Sequence, residues 1–397
     1  MLKASVQLYK NAYSGLSRQM WWLAIVILVN RSGTMVLPFL TVYLTHNGFS
    51  LQQAGYIMAA FGSGGIVGSF LGGKLTDKIG FHYVQVFSLL LNGVLFFVLG
   101  RMQTFTQLAV CIFVLSTLGE SFRPANAAAI AAFSTEANRT RCYSLNRLAI
   151  NIGWTIGPAI GGILASINYQ LLFWVDGITC ILASILLHLF LSPYNKRIQK
   201  EKRVFSSEYI TAYSDKVFLK GMFFLFLIGT CFFQLFTMMP IYYKEQLHMN
   251  EASIGALLAV NGLIIAFVEM ILVYKLEQKK DAIIYVIAGS ILMGLSFIFL
   301  NTGTLRIIAL VSIIMVTFGE MLLFPFINNF WVNRSKEQNR GQYASVYTLS
   351  FAMASIVAPT MGAQIAQHAG FSILWIVDFC ICLLAGLGFL QLKKALI

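Results

Sequence analysis

Twelve stretches of this chain are apolar over about 18 residues or more, the length at which a helix crosses the hydrocarbon core of a bilayer. They cover residues 21–44, 53–75, 83–100, 105–133, 142–167, 171–191, 217–247, 252–275, 282–300, 305–331, 343–367 and 371–392. In lipid an open strand would leave backbone groups unpaired, so helix is the state each must take. Only 11% of residues are charged against 58% hydrophobic, too few charges to cover a water-facing surface. The expected fold class is therefore an all-α, multi-pass integral membrane protein with the lipid bilayer as its solvent.

The net charge of +13 has an orientational origin. Lys and Arg cluster at 3–18, 74–78, 139–141, 196–220, 275–280, 334–340 and 393–394, while the alternate connections hold little beyond Arg101, Lys244 and Arg306. That bias places both termini and the central linker in the cytoplasm. No basic patch interleaved with aromatics appears, so nucleic acid is not an expected partner. The six cysteines match no zinc or disulfide spacing. No nucleophile–base pairing suggests an enzyme, and no cofactor is implied. The first apolar run is too long for a signal peptide and is expected to stay as a span. The expected location is a bacterial inner membrane, and the default expectation is a monomer.

The chain repeats itself at an offset of about 200 residues. Gly55 and Gly62 answer to Gly255 and Gly262, Gly119-Glu120 to Gly319-Glu320, Pro38 to Pro240, Pro158 to Pro359, and Asp176 to Asp378. Six spans repeated in the same sense predict two six-helix pseudo-symmetric bundles, at 1–192 and 217–397, joined by a cytoplasmic linker at 193–216. Transporters are commonly built this way, with the solute bound near mid-membrane between the halves.

Ionisable residues inside a span are costly and mark function by default. Glu120 lies about 22 Å along the fourth span, and Arg123 falls on the same face three residues on. They form either a self-neutralising pair or a site for a coupling proton or a substrate charge. Glu320 is the repeat-related carboxylate, with Leu323 where the first half has arginine. Both carboxylates are candidates for proton coupling. Arg31, about 15 Å into the first span, must pair with a carboxylate or face water. Asn328, Phe236 and Phe324 are candidate substrate contacts, in spans rich in aromatics. Asp176 and Asp378 sit near the outer ends of their spans, where helix-end hydrogen bonding or a gate are the two readings.

Two motifs carry a resemblance. Residues 73–80 read GKLTDKIG, and residues 153–162 hold Gly153, Gly157, Pro158, Gly161 and Gly162 in the pattern G-x3-G-P-x2-G-G. Together with the buried Arg123 they resemble the major facilitator superfamily over essentially the whole chain, and the second motif resembles its drug:proton antiporter branch. Departures are Phe81 and His82 where the family usually has two basic residues, and a first span without an acidic residue. The resemblance implies the major facilitator fold and alternating access. It assigns Gly73, Asp77, Lys78 and Gly80 to a conformational gate and the glycine–proline motif to a seal favouring exchange. The implied function is proton-coupled export of amphipathic small molecules, with protons and a small-molecule substrate as partners. The alternative is a proton-coupled importer or facilitator of a polar nutrient, peptide or siderophore.

Overall fold

The computed structural model describes residues 15–135, 138–191, 211–276, 281–335 and 339–396. The basic leader and most of the linker at 193–216 lie outside the described residues. Fourteen α-helices are present among those described, and twelve spans among them are long and apolar enough to cross a membrane. The first span is α1 (Arg18–Ser32) and α2 (Val36–His46). Then come α3 (Leu51–Ile79), α4 (Phe81–Leu99), α5 (Phe105–Phe133), α6 (Arg139–Ile167) and α7 (Gln170–Phe190). The seventh span is α8 (Lys216–Thr237) and α9 (Met239–Glu245). It is followed by α10 (Glu251–Leu276), α11 (Ala282–Phe299), α12 (Arg306–Arg334), α13 (Arg340–Ala369) and α14 (Phe371–Leu396).

Two compact units form, one of Met1–Val36 and Gly64–Arg197, the other of Leu37–Ser63 and Ile198–Ile397. The repeat seen in the sequence is a repeat of packing. In the first unit α4 packs on α5 and α7, and α1 on α6 and α7. In the second, α11 packs on α12 and α14, and α8 on α13 and α14.

Lipid tails are as apolar as leucine, so close backbone approach and polar contacts hold such helices together. Along α3, a Cβ at Gly64 or Gly68 would overlap the carbonyl oxygens of Phe113 or Thr117 on α5. The freed carbonyls are used: Thr117 donates to Gly64 O at 3.2 Å and Ser121 to Gly68 O at 3.0 Å. Within the second unit, the Thr41 hydroxyl donates to Thr237 O at 3.0 Å, and the Gln52 N–H to Gln367 Oε1 at 2.8 Å.

Asp215 falls within the linker that the sequence predicts at 193–216, yet it is the N-cap of α8. Its carboxylate accepts from the Phe218 N–H at 3.0 Å, from Arg334 Nε and Nη2 at 3.0 Å each, and from the Tyr343 hydroxyl at 2.8 Å. One side chain thus ties the start of the seventh span to the end of the tenth and the start of the eleventh. Burial works to raise its pKa, but these donors, led by Arg334, hold the carboxyl below the usual aspartate range. The charged form is therefore favoured by folding, and its stability contribution is full above the ordinary aspartate pKa and fades as pH falls through the lowered value. Asp215→Asn, which keeps a cap acceptor but loses the charge, is expected to destabilise by about 2 kcal/mol at neutral pH. Melting temperatures of wild type and variant should converge as the buffer is acidified; a gap independent of pH contradicts this.

Candidate transport site

In the first unit the charged cluster is set by α5. Thr104 and Gln107 form a capping box that fixes the helix start. Sixteen positions on from Thr104 the chain brings Glu120 opposite Gly65, whose missing side chain leaves room for the Glu120 stem. Arg123 Nε lies 3.1 Å from Glu120 Oε2, so the sequence-predicted pair forms. It is not sealed: the Arg123 side chain is 67% exposed and that of Glu120 20%. A guanidinium this exposed at this depth requires water beside it. Pro124 sits inside the helix and has no N–H to give the Glu120 carbonyl, so the backbone is one bond short at the carboxylate. Arg31 lies in the last turn of α1, near enough to feel the charges of both Glu120 and Arg123. The cluster therefore holds two guanidiniums to one carboxylate.

The glycine–proline motif lies on α6 and faces the first span where that span is broken. A Cβ at Gly153 would overlap the Arg31 Cβ, one at Gly157 would come 2.9 Å from Thr34 O, and one at Gly161 2.9 Å from the Met35 Cβ. Pro158 and the buried Gly162 lie within the same helix. The sequence predicts one unbroken span over 21–44. Instead α1 stops at Ser32 and α2 starts at Val36. Pro38 is the reason on one side, since it cannot donate to Thr34 O. Asp176 is the reason on the other. Its carboxylate, 1% exposed, accepts the Met35 N–H at 3.0 Å and the Val36 N–H at 3.0 Å. Of the two readings of Asp176, the structure selects helix-end hydrogen bonding.

In the second unit Glu320 heads a different arrangement. Asn261 of α10 donates to Glu320 Oε2 at 3.3 Å and to Thr317 Oγ1 at 2.9 Å. Below it runs an aromatic wall. Phe324 meets Phe232 edge-on at 4.9 Å and Phe351 at 5.2 Å; Phe351 meets Tyr347 at 5.3 Å, and Tyr347 meets Trp331 at 5.7 Å. Phe236 joins it through Phe232 at 5.6 Å. Phe324, Phe351, Tyr347 and Phe236 are each only partly buried, so the wall has a free side. Glu320, Phe324 and Asn328 follow at four-residue steps along one stripe of α12, with Asn328 exposed. Sequence reasoning missed Asn261, Tyr347 and Phe351; nothing in an apolar helix marks such residues until the facing helix is known. It also passed over Pro124 and Pro325, which follow Glu120 and Glu320 by four and five residues and were legible as a pair.

The gate signature is helical up to its last residue. Residues 73–79 are the last two turns of α3, with Asp77 and Lys78 exposed in the final turn. The turn itself falls on Gly80, at φ 88°, a backbone shape that favours glycine. Gly73 has no atom within 4 Å of the place its Cβ would occupy. Close approach therefore explains nothing at Gly73.

Twelve spans in two repeated bundles, with ionisable residues inside them, define a membrane transporter. The chain matches the Major Facilitator Superfamily sequence profile over residues 21–359, and it belongs to that family. Its relatives include a Na(+), Li(+), K(+)/H(+) antiporter of Planococcus maritimus, 25% identical over 91% of this chain and 92% of the relative. Others are the quinolone resistance protein NorA of Staphylococcus aureus, 22% identical over 84% and 86%, and multidrug resistance protein 1 of Bacillus subtilis, 22% identical over 83% and 85%. Among solved structures the fold resembles a POT family transporter in complex with 5-aminolevulinic acid (TM-score 0.80, 18% identity, 96% of each chain). It also resembles the nucleoside transporter NupG (TM-score 0.75, 11% identity, 94% of this chain and 100% of that one). The protein is thus a transporter and not an enzyme, in a family whose members bind small solutes and couple to ions.

Proposed function

We propose that this transporter works by alternating access and exports amphipathic small molecules in exchange for protons. The observation that carries the reading is the aromatic wall headed by Glu320. A flat, apolar or cationic solute would lie against Phe324, Phe351 and Tyr347 with its polar end at the carboxylate. Glu320 would bind either the proton or the solute's charge, and that competition is what exchange requires. Asn261, which donates to it at 3.3 Å, is neutral and can go on donating to the carbonyl oxygen when the group is protonated. The sequence relatives that are antiporters and resistance proteins point the same way. The placement of both termini in the cytoplasm, the bundles at 1–192 and 217–397, the gate role of Asp77 and a monomeric state belong to this reading.

One observation favours import of an anionic or zwitterionic nutrient instead: the excess of guanidinium over carboxylate at Arg31, Glu120 and Arg123. The two readings separate in sealed proteoliposomes carrying a pH-sensitive dye. Solute-driven proton movement opposite to a cationic dye, lost in Glu320→Gln, is the expected result. Proton movement with a peptide or carboxylate, lost in Arg31→Gln, would replace export by import. Transport of either solute unchanged in Glu120→Gln and Glu320→Gln would remove the carboxylates from the coupling.

A further inference from the structure

The repeat places Asp378 on the twelfth span where Asp176 stands on the sixth, yet the two carboxylates are used differently. Asp176 accepts two backbone N–H groups at the break in the first span. Asp378 is 0% exposed, and neither of its carboxylate oxygens has a hydrogen-bond partner. The difference lies in the span each one faces. The first span is interrupted over Gly33–Met35, where the regular helical ladder lapses into tight turns and the Met35 and Val36 N–H groups point to the carboxylate. The seventh runs helically through Met238, whose N–H donates to Gln234 O at 3.1 Å. Nothing on it is left over for Asp378.

The level of Asp378 along the seventh span is fixed from two sides. Its main-chain carbonyl accepts from the Cys231 thiol at 3.5 Å, and Trp375, three residues earlier, packs edge-on against Tyr242 at 5.4 Å. The α8–α9 junction at Met238 falls between Cys231 and Tyr242. Thr237 and Met238 stand three and two residues before Pro240, as Met35 and Val36 stand before Pro38. Pro240 already deprives the Phe236 carbonyl of its donor, so the junction is one backbone bond short.

An ionised carboxylate buried without donors is among the least favourable groups a fold can hold, and binding a proton removes that penalty. No charged group offsets it. On α8 the nearby titratable group is Cys231, and on α14 itself it is Cys382, one turn on. The α11 helix packed along α14 carries only Tyr285. The α13 helix carries Arg340, Tyr343, Tyr347 and His368, and α9 carries Tyr242, whose hydroxyl donates to Leu300 O at 2.9 Å, the buried Tyr243, Lys244, which pairs with Glu251 at 2.7 Å, and Glu245.

We propose that Asp378 is a proton-binding site and the latent cap of the seventh span. It carries a proton while α8 continues into α9. On release of that proton to water admitted at the junction, the carboxylate accepts the N–H groups of Thr237 and Met238, and the seventh span breaks as the first is already broken. The two repeats are thus seen in the two states of one device.

The test is made on the purified full-length protein in lipid nanodiscs and needs no transported solute. The infrared carbonyl stretch of a protonated carboxyl is followed with pH in wild type, Asp378→Asn, Asp176→Asn, Glu120→Gln and Glu320→Gln. A protonated-carboxyl band that is lost in Asp378→Asn and kept in Asp176→Asn is the expected result; a spectrum unchanged by Asp378→Asn overturns the proposal. Hydrogen exchange gives the second reading. Once intrinsic base catalysis is subtracted, amides of residues 237–241 should exchange faster as pH rises in wild type and in Asp378→Glu, and not in Asp378→Asn. Opening of this segment that is identical with and without the carboxyl also overturns it. Should Asp378→Asn fail to fold, the Asp378→Glu band, displaced in frequency from wild type, serves the first reading; a band that does not move rejects the assignment.

Discussion

Valine in place of Gly153 is expected to abolish transport and to lower stability by about 3 kcal/mol or more, the upper range for overpacking. The reason is what the added atoms would meet. A Cβ at Gly153 overlaps the Arg31 Cβ and lies 2.9 Å from the Arg31 carbonyl carbon. These atoms are fixed to the α1 backbone, so no rotamer change relieves them; the first and fifth spans must separate. Separation also displaces Arg31 from Glu120 and Arg123. The counterpart is Gly73→Ala. Gly73 lies inside α3 with open space about it, so alanine is expected to leave stability unchanged or raise it by up to about 1 kcal/mol. Melting of the detergent-solubilised variants, read beside dye efflux in membrane vesicles, checks both. Equal losses in Gly153→Val and Gly73→Ala would show that close helix approach is not what the glycines of these two motifs are for.

The spans and their repeat were legible in the sequence because both depend on composition summed over many residues. Helix is forced by lipid, and the recurrence of Glu120 as Glu320 and of Pro38 as Pro240 needs no contact to be seen. The break in the first span and the α8–α9 junction in the seventh were not legible in the same way. Hydropathy runs unbroken through Met35–Leu37 and through Leu235–Met239, and no window average registers a missing hydrogen bond. The local marks were present but ambiguous: a proline near the middle of each span, and a carboxylate 138 residues further on from each (176 − 38 and 378 − 240). Only the packed structure shows that one of those carboxylates reaches the break. Asp215 illustrates the opposite error. Surrounded by linker charges it reads as solvated, and it becomes a three-helix tie because Arg334 and Tyr343 arrive from more than a hundred residues away.

The candidate site divides along the same line. Glu120 with Arg123 follows from helix period alone and forms as expected. Glu320 takes its partner Asn261 from another helix, and that partner could not be named beforehand. The halves thus set equivalent carboxylates differently, one beside a guanidinium and one accepting from the Asn261 amide.

Asp176→Ala is expected to have the second large effect, and it reaches function through the backbone. Removing the carboxylate leaves the Val36 N–H buried with no acceptor and the Met35 N–H with only the tight turn to Gly33 O at 2.8 Å. With about 1–3 kcal/mol for the orphaned donor and the Met35 bond lost besides, a loss on the order of 3 kcal/mol follows. The chain has two ways to respond. Either α2 frays at its start, or α1 and α2 join across residues 33–35, which Pro38 resists because it leaves Thr34 O without a donor in either case. Fraying is therefore the expected outcome. It is read as faster hydrogen exchange at residues 35–38 with little change at 20–30, whose core contacts with Phe122, Ala125 and Leu145 do not involve Asp176. Asp176→Asn separates charge from hydrogen bonding. Its amide oxygen still accepts one N–H, so about half the loss should return, and the remainder measures the attraction between a carboxylate and the N-terminal end of α2. If exchange at residues 35–38 is as slow in Asp176→Ala as in the wild type, the break is maintained by Pro38 and the α6 glycines alone, and Asp176 is not its cap.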